Sequence, residues 1–560
     1  MSTGRLDPTE RARALDRMQA GELDVLVVGG GVTGAGAALD AATRGLTVGL
    51  LERRDWAAGT SSRSSRLAHG GLRYLEQLEF GLVHEALTER GLLLDKLAPH
   101  LARPVPFILP LTRRGWERPY VGAGVALYDV LSRVSRKGGA LPGHRHLSKR
   151  ATARLAPGLD PDSYTGAIAY FDAQIDDARH TVAVVRTAVA HGALAASGVE
   201  VSGFLRDEDR VVGVTALDRE TGQELTVHAR VVVGATGVWT DRTRALLGAD
   251  EAAAQTHPVR PSKGVHLVVP RAAIDLSTAL IARTPSSVLF LLPWGQTWLV
   301  GTTDTPWDGD LDEPAATPED VQYLLDQANH WLVRPLTHDD VIGVYAGLRP
   351  LLVADQHLDP EETAKLSREH AVTSPAPGLV QIAGGKYTTY RVMAKDVVDA
   401  ATAHLSFPVP PSRTESVLLA GAEGFDEVWQ GRDFLAAEAG QTGAETRRLL
   451  HRYGSDVRDV LALLEAEPEL GQRLHPDAPV LRAEVRYAAT HEGALHLEDV
   501  LVRRTHLALV TKDAGDSVAL DAARILAPVL GWDDDRIEAE VAAYRAAVPR
   551  VPAAPETVGP

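Results

Sequence analysis

DVLVVGGGVTGAGAALDAATRGLTVGLLE, residues 24–52, is the stretch that decides the fold. Asp24–Val28 is an apolar run of strand length that stops at three glycines. Ala35–Leu46 carries small and apolar residues at helical spacing and is closed by Gly45, and Thr47–Glu52 reads as a second buried strand ending on an acid. At the first strand-to-helix turn Gly29, Gly31 and Gly34 spell G-x-G-x-x-G. Glycines there permit a tight turn and let a helix N-terminus approach a pyrophosphate. Glu52 stands where a carboxylate accepts both hydroxyls of an adenosine ribose and repels a 2′-phosphate. The unit is therefore expected to bind ADP-ribose in some form, which leaves NAD and FAD open.

The sequence further out separates the two. An NAD dehydrogenase tends to keep its cofactor domain as one compact block. Here VVGVTALDRETGQELTVHARVVVGATG (211–237) reads as a hairpin turning at Thr221-Gly222 and then a buried strand running into Thr236-Gly237, long after the glycine turn. Such an interruption resembles the two-dinucleotide-fold flavoproteins. Residues 60–71 follow the second strand with hydroxyls and a Gly-Gly pair, donors suited to a flavin. KGVHLVVP (263–270) and VLFLLPWGQTWLVGTTD (288–304) add strands, the latter turning near Gly295-Gln296. Helical patterns take over from about residue 410, after Pro408, Pro410 and Pro411.

Composition narrows the function classes. The chain has 560 residues, 45% hydrophobic and 24% charged, which suits a globular protein of two or three domains. With no cysteine, disulfides, thiolate nucleophiles and cysteine-held metal are excluded, so redox chemistry falls to an organic cofactor or another metal. A net charge of −16 argues against nucleic acid as a partner. No apolar run reaches the length of a membrane span and the first residues are charged throughout, so a cytoplasmic protein is expected.

Seven stretches together resemble the FAD-dependent, respiratory glycerol-3-phosphate dehydrogenases: GGGVTGAG, TSSRSSRLAHGGLRYLEQLEFGLVHEAL, SKGVHLVVPR, LLPWGQTWLVGTTDT, YAGLRPLL, SREH and IAGGKYTTYRVMA. The sequence departs from that family's habit at Tyr387, where Leu is common, and at Val265, where a small polar residue is common. The resemblance implies an α/β fold: an FAD-binding domain of the glutathione-reductase and D-amino-acid-oxidase type, an inserted β-rich substrate domain and a helical C-terminal domain. The expected bounds are an N-terminal extension at 1–22, the FAD domain at 23–404 with cap segments near 81–165 and 255–345, the helical domain at 405–548 and a disordered tail at 549–560.

The resemblance also implies oxidation of sn-glycerol 3-phosphate to dihydroxyacetone phosphate with electrons passed through FAD to a quinone. By it, Gly29, Gly31, Gly34, Glu52, Thr60, Ser61, Ser65, Leu67, His69, Gly70, Gly71, Thr236, Gly237, Asp304, Gly385, Lys386 and Thr388 hold FAD, and no metal is needed. Arg73, Tyr74, Arg349 and Lys386 belong at the substrate. Arginine suits a phosphate dianion because its planar fork donates two hydrogen bonds at once. His69 and His266 are the candidates for the proton acceptor, since imidazole titrates near neutral pH. Guanidinium holds its proton too tightly for that task, so Arg349 is assigned to alkoxide stabilisation. Arg63 and Arg66 are further candidates for the site, and for Arg63 a solvated surface is the equal alternative.

Residues 103–154 hold eleven Lys or Arg against Glu117 and Asp129, and VGAGVALYDVL (121–131) within them is apolar. Docking on an anionic membrane surface, at the inner face of the cell membrane, is the expectation there, with a solvated core helix as the alternative. Oxygen as electron acceptor, an amino-acid or amine oxidase, a flavin-binding scaffold without catalysis and a homodimer remain open at this point.

Overall fold

A computed structural model describes residues 4–76, 78–135, 141–248, 258–284, 288–353 and 369–554. The glycine-rich stretch folds as expected. Leu23–Val28 is a strand, Val32–Thr43 a helix and Val48–Leu51 a second strand, paired in parallel with the first through Val25↔Val48. The valine-rich strand Glu224–Gly234 returns on the other side of Leu23–Val28, also in parallel, with Val25 opposite Val231. Among the described residues this sheet runs His370–Ala376, Leu379–Gly384, Glu224–Gly234, Leu23–Val28, Val48–Leu51, Leu194–Ala196, and the meander Val199–Asp207, Arg210–Asp218 folds off it.

The parallel strands are apolar along their length because helices cover them. Val32–Thr43 lies between Asp177–Ala190 and Tyr390–Thr402, and its small residues allow a close approach: a Cβ on Gly36 would stand 3.0 Å from the Ala394 Cβ. The N-terminal helix Pro8–Ala20 is less polar in effect than its composition. Asp7 caps it by accepting from the Glu10 N–H at 2.9 Å, and Ala14, Leu15 and Met18 are buried, Met18 against the same cluster as Leu23 and Leu26.

A second sheet, of ten strands among the described residues, forms the cap. Ala102–Leu111 and Gly166–Ile175 pair over their whole length, and Val259–Pro270 pairs with both Thr297–Gly301 and Gly343–Leu352. The strand regions exceed the expected 81–165 and 255–345. The sheet begins at Leu67 and runs to Ile175, then from Val259 to Leu352, because Gly166–Ile175 and Gly343–Leu352 pair along their length inside it.

From Phe425 to Ala547 the chain is helical apart from one short hairpin, Arg473–His475 with Ala478–Leu481, too brief for alternation to show in sequence. This domain is bolted to the first by buried ion pairs, Arg504 to Asp55 at 2.7 Å and Arg179 to Glu492 at 2.6 Å. Of the tail expected to be unstructured, residues 549–554 are described, and Val551 is half-buried against the core of the cap sheet. No helix among the described residues is long and apolar enough to cross a membrane, and no group of side chains among them is arranged to hold a metal ion.

Candidate active site

The glycines of the first turn are required by contact. Gly29 has φ of 113°, and a Cβ there would stand 2.5 Å from the Ala235 carbonyl oxygen; at Gly34 it would meet the Gly29 oxygen at 1.9 Å. The turn is thereby pressed between the returning strand and its own helix, leaving bare backbone facing the cavity. Glu52 supports it from below: its carboxylate accepts the Gly30 N–H at 2.6 Å and the Arg54 N–H at 2.8 Å. Burial nevertheless pushes the Glu52 carboxyl up from its ordinary range. Each carboxylate oxygen retains a second lone pair for a ribose hydroxyl. Ser61 reaches in from the next loop, its hydroxyl accepting the Val32 N–H at 2.9 Å in the first turn of the helix.

These groups wall a cavity of 370 Å³. Of the residues expected at a cofactor, Gly29, Gly31, Glu52, Thr60, Ser61, Thr236, Gly237, Gly385 and Lys386 line it. Three cations that sequence reasoning missed line it too, Arg53, Arg54 and Arg242, all gathered on Asp312, with Arg53 and Arg54 over the Trp239 ring at 5.7 and 5.5 Å. The Arg-Arg pair directly after Glu52 was the available signal. A cradle of close backbone, an acid at one end and this much positive charge fits a dinucleotide pyrophosphate.

Ser65, Leu67, His69, Gly70, Gly71, Asp304, Arg349 and Thr388 are not among the walls of that cavity; they form the adjoining framework. The Ser65 hydroxyl is 2.8 Å from His266 Nε2, the His69 N–H donates to Thr388 Oγ1 at 3.1 Å, and the Gly70 N–H donates to the Tyr128 hydroxyl at 2.9 Å. Leu67 is buried in the two-residue strand Leu67–Ala68 that pairs with Gly166–Ile175. Lys386 and Tyr74 come together, the ammonium 3.5 Å from the centre of the ring. Arg73 begins the short helix Arg73–Glu76, and its side chain lies outside what the structure describes. Arg349 sits on Gly343–Leu352 against Asp304 at 3.3 Å and donates to the Thr303 carbonyl at 3.1 Å; Asp304 also accepts from the Ser262 hydroxyl.

The structure adds detail at two of these positions. His266 is buried, stacked on Tyr345 at 4.8 Å, and burial with the nearby Arg349 and Arg66 pushes it down to about 3. A ring pushed down that far is a weak proton acceptor, and its Nε2 is engaged with Ser65. Arg66 is inside, and Arg63 is half-buried against the cap sheet. Arg63 donates to the Ala346 carbonyl at 3.4 Å and is pushed down to about 10 by burial and by Arg54 and Arg503. Arg66 is fully buried, 3.6 Å over the Trp294 ring. Nothing in the local sequence marks this, because their covers come from residues 294, 345 and 346.

The dinucleotide turn, the returning parallel strand and the cap sheet closing beside the cavity define an FAD-dependent oxidoreductase. Residues 24–391 match the family described as FAD dependent oxidoreductase, and residues 412–537 match the C-terminal domain of alpha-glycerophosphate oxidase. The sequence is 51% identical over 545 residues to a glycerol-3-phosphate dehydrogenase of Mycobacterium leprae, covering 97% of this chain and 91% of that protein. It is 36% identical to the mitochondrial glycerol-3-phosphate dehydrogenase of Homo sapiens, covering 94% and 73%. The crystal structure of glycerol-3-phosphate dehydrogenase from Bacillus halodurans complexed with FAD superposes with a TM-score of 0.79 at 30% identity, over 97% of both chains. The chain belongs to the glycerol-3-phosphate dehydrogenase family.

Proposed function

We propose that this protein oxidises sn-glycerol 3-phosphate to dihydroxyacetone phosphate with FAD as cofactor and passes the electrons to a membrane quinone. The observation that carries the reading is that the glycine turn and its acid, the 370 Å³ cavity and the Lys386–Tyr74 contact at its edge occur together in a chain 51% identical to a dehydrogenase of this name. FAD supplies a hydride acceptor. Gly29, Gly31 and Gly34 give it bare backbone and a helix N-terminus for the pyrophosphate, Glu52 takes the ribose, and Thr236-Gly237 closes the far side.

The substrate asks for a phosphate clamp, stabilisation of the oxygen that loses its proton, and a base. Arg73, Arg349 and Lys386 are assigned to the first two tasks, with Tyr74 beneath the Lys386 ammonium. His69 is assigned as the proton acceptor, because His266 is a weak proton acceptor and engaged with Ser65. Anaerobic mixing tests the reading: glycerol 3-phosphate bleaches the flavin and D-amino acids do not, and quinone then restores the colour faster than air. Bleaching by amino acids alone overturns it, and faster recovery in air makes the protein an oxidase.

The quinone lies in a bilayer, and one helix is suited to meet it. Glu117–Ser135 exposes Tyr120, Leu127, Val130 and Val134 on one face, Val134 at 72%, beside Leu78 at 71% and Trp116 at 58%. Arg113 and Arg114 in the preceding loop and Arg133 on the helix are exposed cations; Arg136 and Lys137, part of the same basic stretch, lie outside the described residues. The face is assigned to the anionic inner leaflet. Flotation with anionic vesicles is expected for the parent and lost in Val130→Glu with Val134→Glu; equal flotation of both assigns docking elsewhere.

A further inference from the structure

The inward face of the same helix carries a buried polar relay that no part of the chemistry above uses. Arg90, on Phe80–Leu92, donates to Asp172 Oδ1 at 2.7 Å and to the Ser132 hydroxyl at 2.6 Å. The Tyr128 hydroxyl donates to Asp172 Oδ2 at 2.7 Å and accepts the Gly70 N–H at 2.9 Å. Arg90, Tyr128, Ser132 and Asp172 are all buried. The polarity is fixed by chemistry. A carboxylate beside a guanidinium is ionised and only accepts, so the phenol gives it its single proton and turns a lone pair to Gly70. Burial, with Asp172 adding to it, pushes the Tyr128 phenol well up, so that proton does not leave at working pH.

What the relay holds is the loop that leads to the substrate side. A Cβ on Gly70 would be 2.4 Å from Leu87 Cδ2 and 2.6 Å from the Tyr128 oxygen, so the loop backbone lies directly on these groups. Opposite them, Thr388 Oγ1 accepts the His69 N–H at 3.1 Å and donates to the His69 carbonyl at 3.3 Å. Gly71 abuts the Tyr74 ring, where a Cβ would stand 2.3 Å from Cδ2, and that ring lies under Lys386 at 3.5 Å. Fixing Gly70 therefore fixes, through two successive contacts, where Tyr74 meets Lys386.

We infer that Tyr128, oriented by the Arg90–Asp172 pair, is a positioning residue that sets the His69–Gly71 backbone and thereby the Tyr74–Lys386 contact at the substrate end of the site. The inference deepens the function proposed above and rests on it for the kinetic arm of its test. Holoenzyme of the parent, Tyr128→Phe and Ser132→Ala is compared in three measurements: amide hydrogen exchange of peptides covering 67–76, KM and kcat for glycerol 3-phosphate, and melting temperature with FAD content.

In Tyr128→Phe the 67–76 amides exchange about tenfold faster and KM rises about tenfold, with FAD retained. Ser132→Ala removes a hydrogen bond from the same cluster without touching Gly70, so it lowers the melting temperature and leaves exchange at 67–76 and KM at parent values. Asp172→Asn, which cannot accept from both Arg90 and Tyr128 through carboxylate oxygens, reproduces the exchange and KM changes and serves in place of Tyr128→Phe should that variant not fold. Parent-like exchange and KM in Tyr128→Phe, or identical changes in Ser132→Ala, overturn the inference. A parent inert toward glycerol 3-phosphate fails the functional reading instead, and the exchange comparison still decides the positioning role.

Discussion

Lys386 and Glu52 show how one side chain can be read at two depths. Lys386 follows Gly384 and Gly385, both at positive φ, so the chain turns sharply at the end of Leu379–Gly384 and delivers the ammonium to the cavity wall and the face of Tyr74. If that charge stabilises the oxygen of the substrate, Lys386→Met slows flavin reduction by glycerol 3-phosphate by on the order of 10²–10³ with FAD content unchanged. Stopped-flow bleaching measures it, and a parent-like rate removes Lys386 from the chemistry. Glu52 does different work: it braces the glycine turn through Gly30 and Arg54 and lines the cavity. Glu52→Ala accordingly weakens FAD retention by roughly 1.5–3 kcal/mol, the worth of hydrogen bonds to a charged group, while KM for substrate in reconstituted protein changes little. Titration of apoprotein with FAD reads this directly, and unchanged affinity assigns the carboxylate to some other partner.

At the scale of elements, the strand–turn–helix unit depends on one steric fact. Gly34 packs its α-carbon against the Gly29 carbonyl so closely that a methyl group has no room. Gly34→Ala pushes Val32–Thr43 off the turn, and the helix N-terminus retreats from the pyrophosphate. The variant is expected to purify colourless and to regain little flavin when FAD is added; a yellow Gly34→Ala protein with parent affinity refutes that. The helix Glu117–Ser135 teaches a complementary lesson. Its apolar residues fall on two faces, Val121, Val125 and Tyr128 inward and Tyr120, Leu127, Val130 and Val134 outward. An apolar helix in sequence is thus half core and half surface, and only packing separates the halves.

Across the whole molecule the C-terminal domain holds the cofactor loop. Asp55, three residues past Glu52, accepts from Arg503 Nε at 2.5 Å and from both Nη atoms of Arg504 at 2.7 Å. Burial would raise its pKa, yet Arg504 and Arg503 keep it below the ordinary range. Arg504→Ala leaves a buried carboxylate short of a partner and destabilises the protein by about 3–5 kcal/mol. Thermal melting tests this, and a shift within error of the parent shows the contact to be dispensable.

Acid should act in the same direction. His100, His180 and His266 are each pushed down to about 3, chiefly by burial, against 6.5 when unfolded. Between those values the unfolded chain binds protons that the folded one refuses, so stability is lost as pH falls below about 6.5, by about 1.4 kcal/mol per pH unit for each. Asp177, raised by burial to about 6 from 3.8, binds its proton first in the folded state and offsets one of the three between those pH values. Melting temperature measured from pH 7 to 4 should fall steadily, and a flat or rising profile contradicts the assignment.

The sequence by itself determined the cofactor unit, because that unit is local. Strand, glycine turn, helix, strand and acid lie within residues 24–52, and their contacts are set by spacing along the chain. It also marked the returning strand that ends at Thr236-Gly237, since a continuous valine run is the mark of a strand covered on both faces. Tertiary structure alone decided the rest of the site. His69 and His266 look alike as titratable groups, and what separates them is that Tyr345, Arg349 and Arg66 surround the second. Arg63 and Arg66 have the composition of a surface loop, and Ala346 and Trp294 close over them. Tyr128, Asp172 and Arg90 are scattered over more than eighty residues and acquire a shared purpose only where three elements cross. Burial, proton affinity and hydrogen-bond polarity depend on what stands within a few ångströms, and those neighbours were brought together by long-range packing that local spacing does not record.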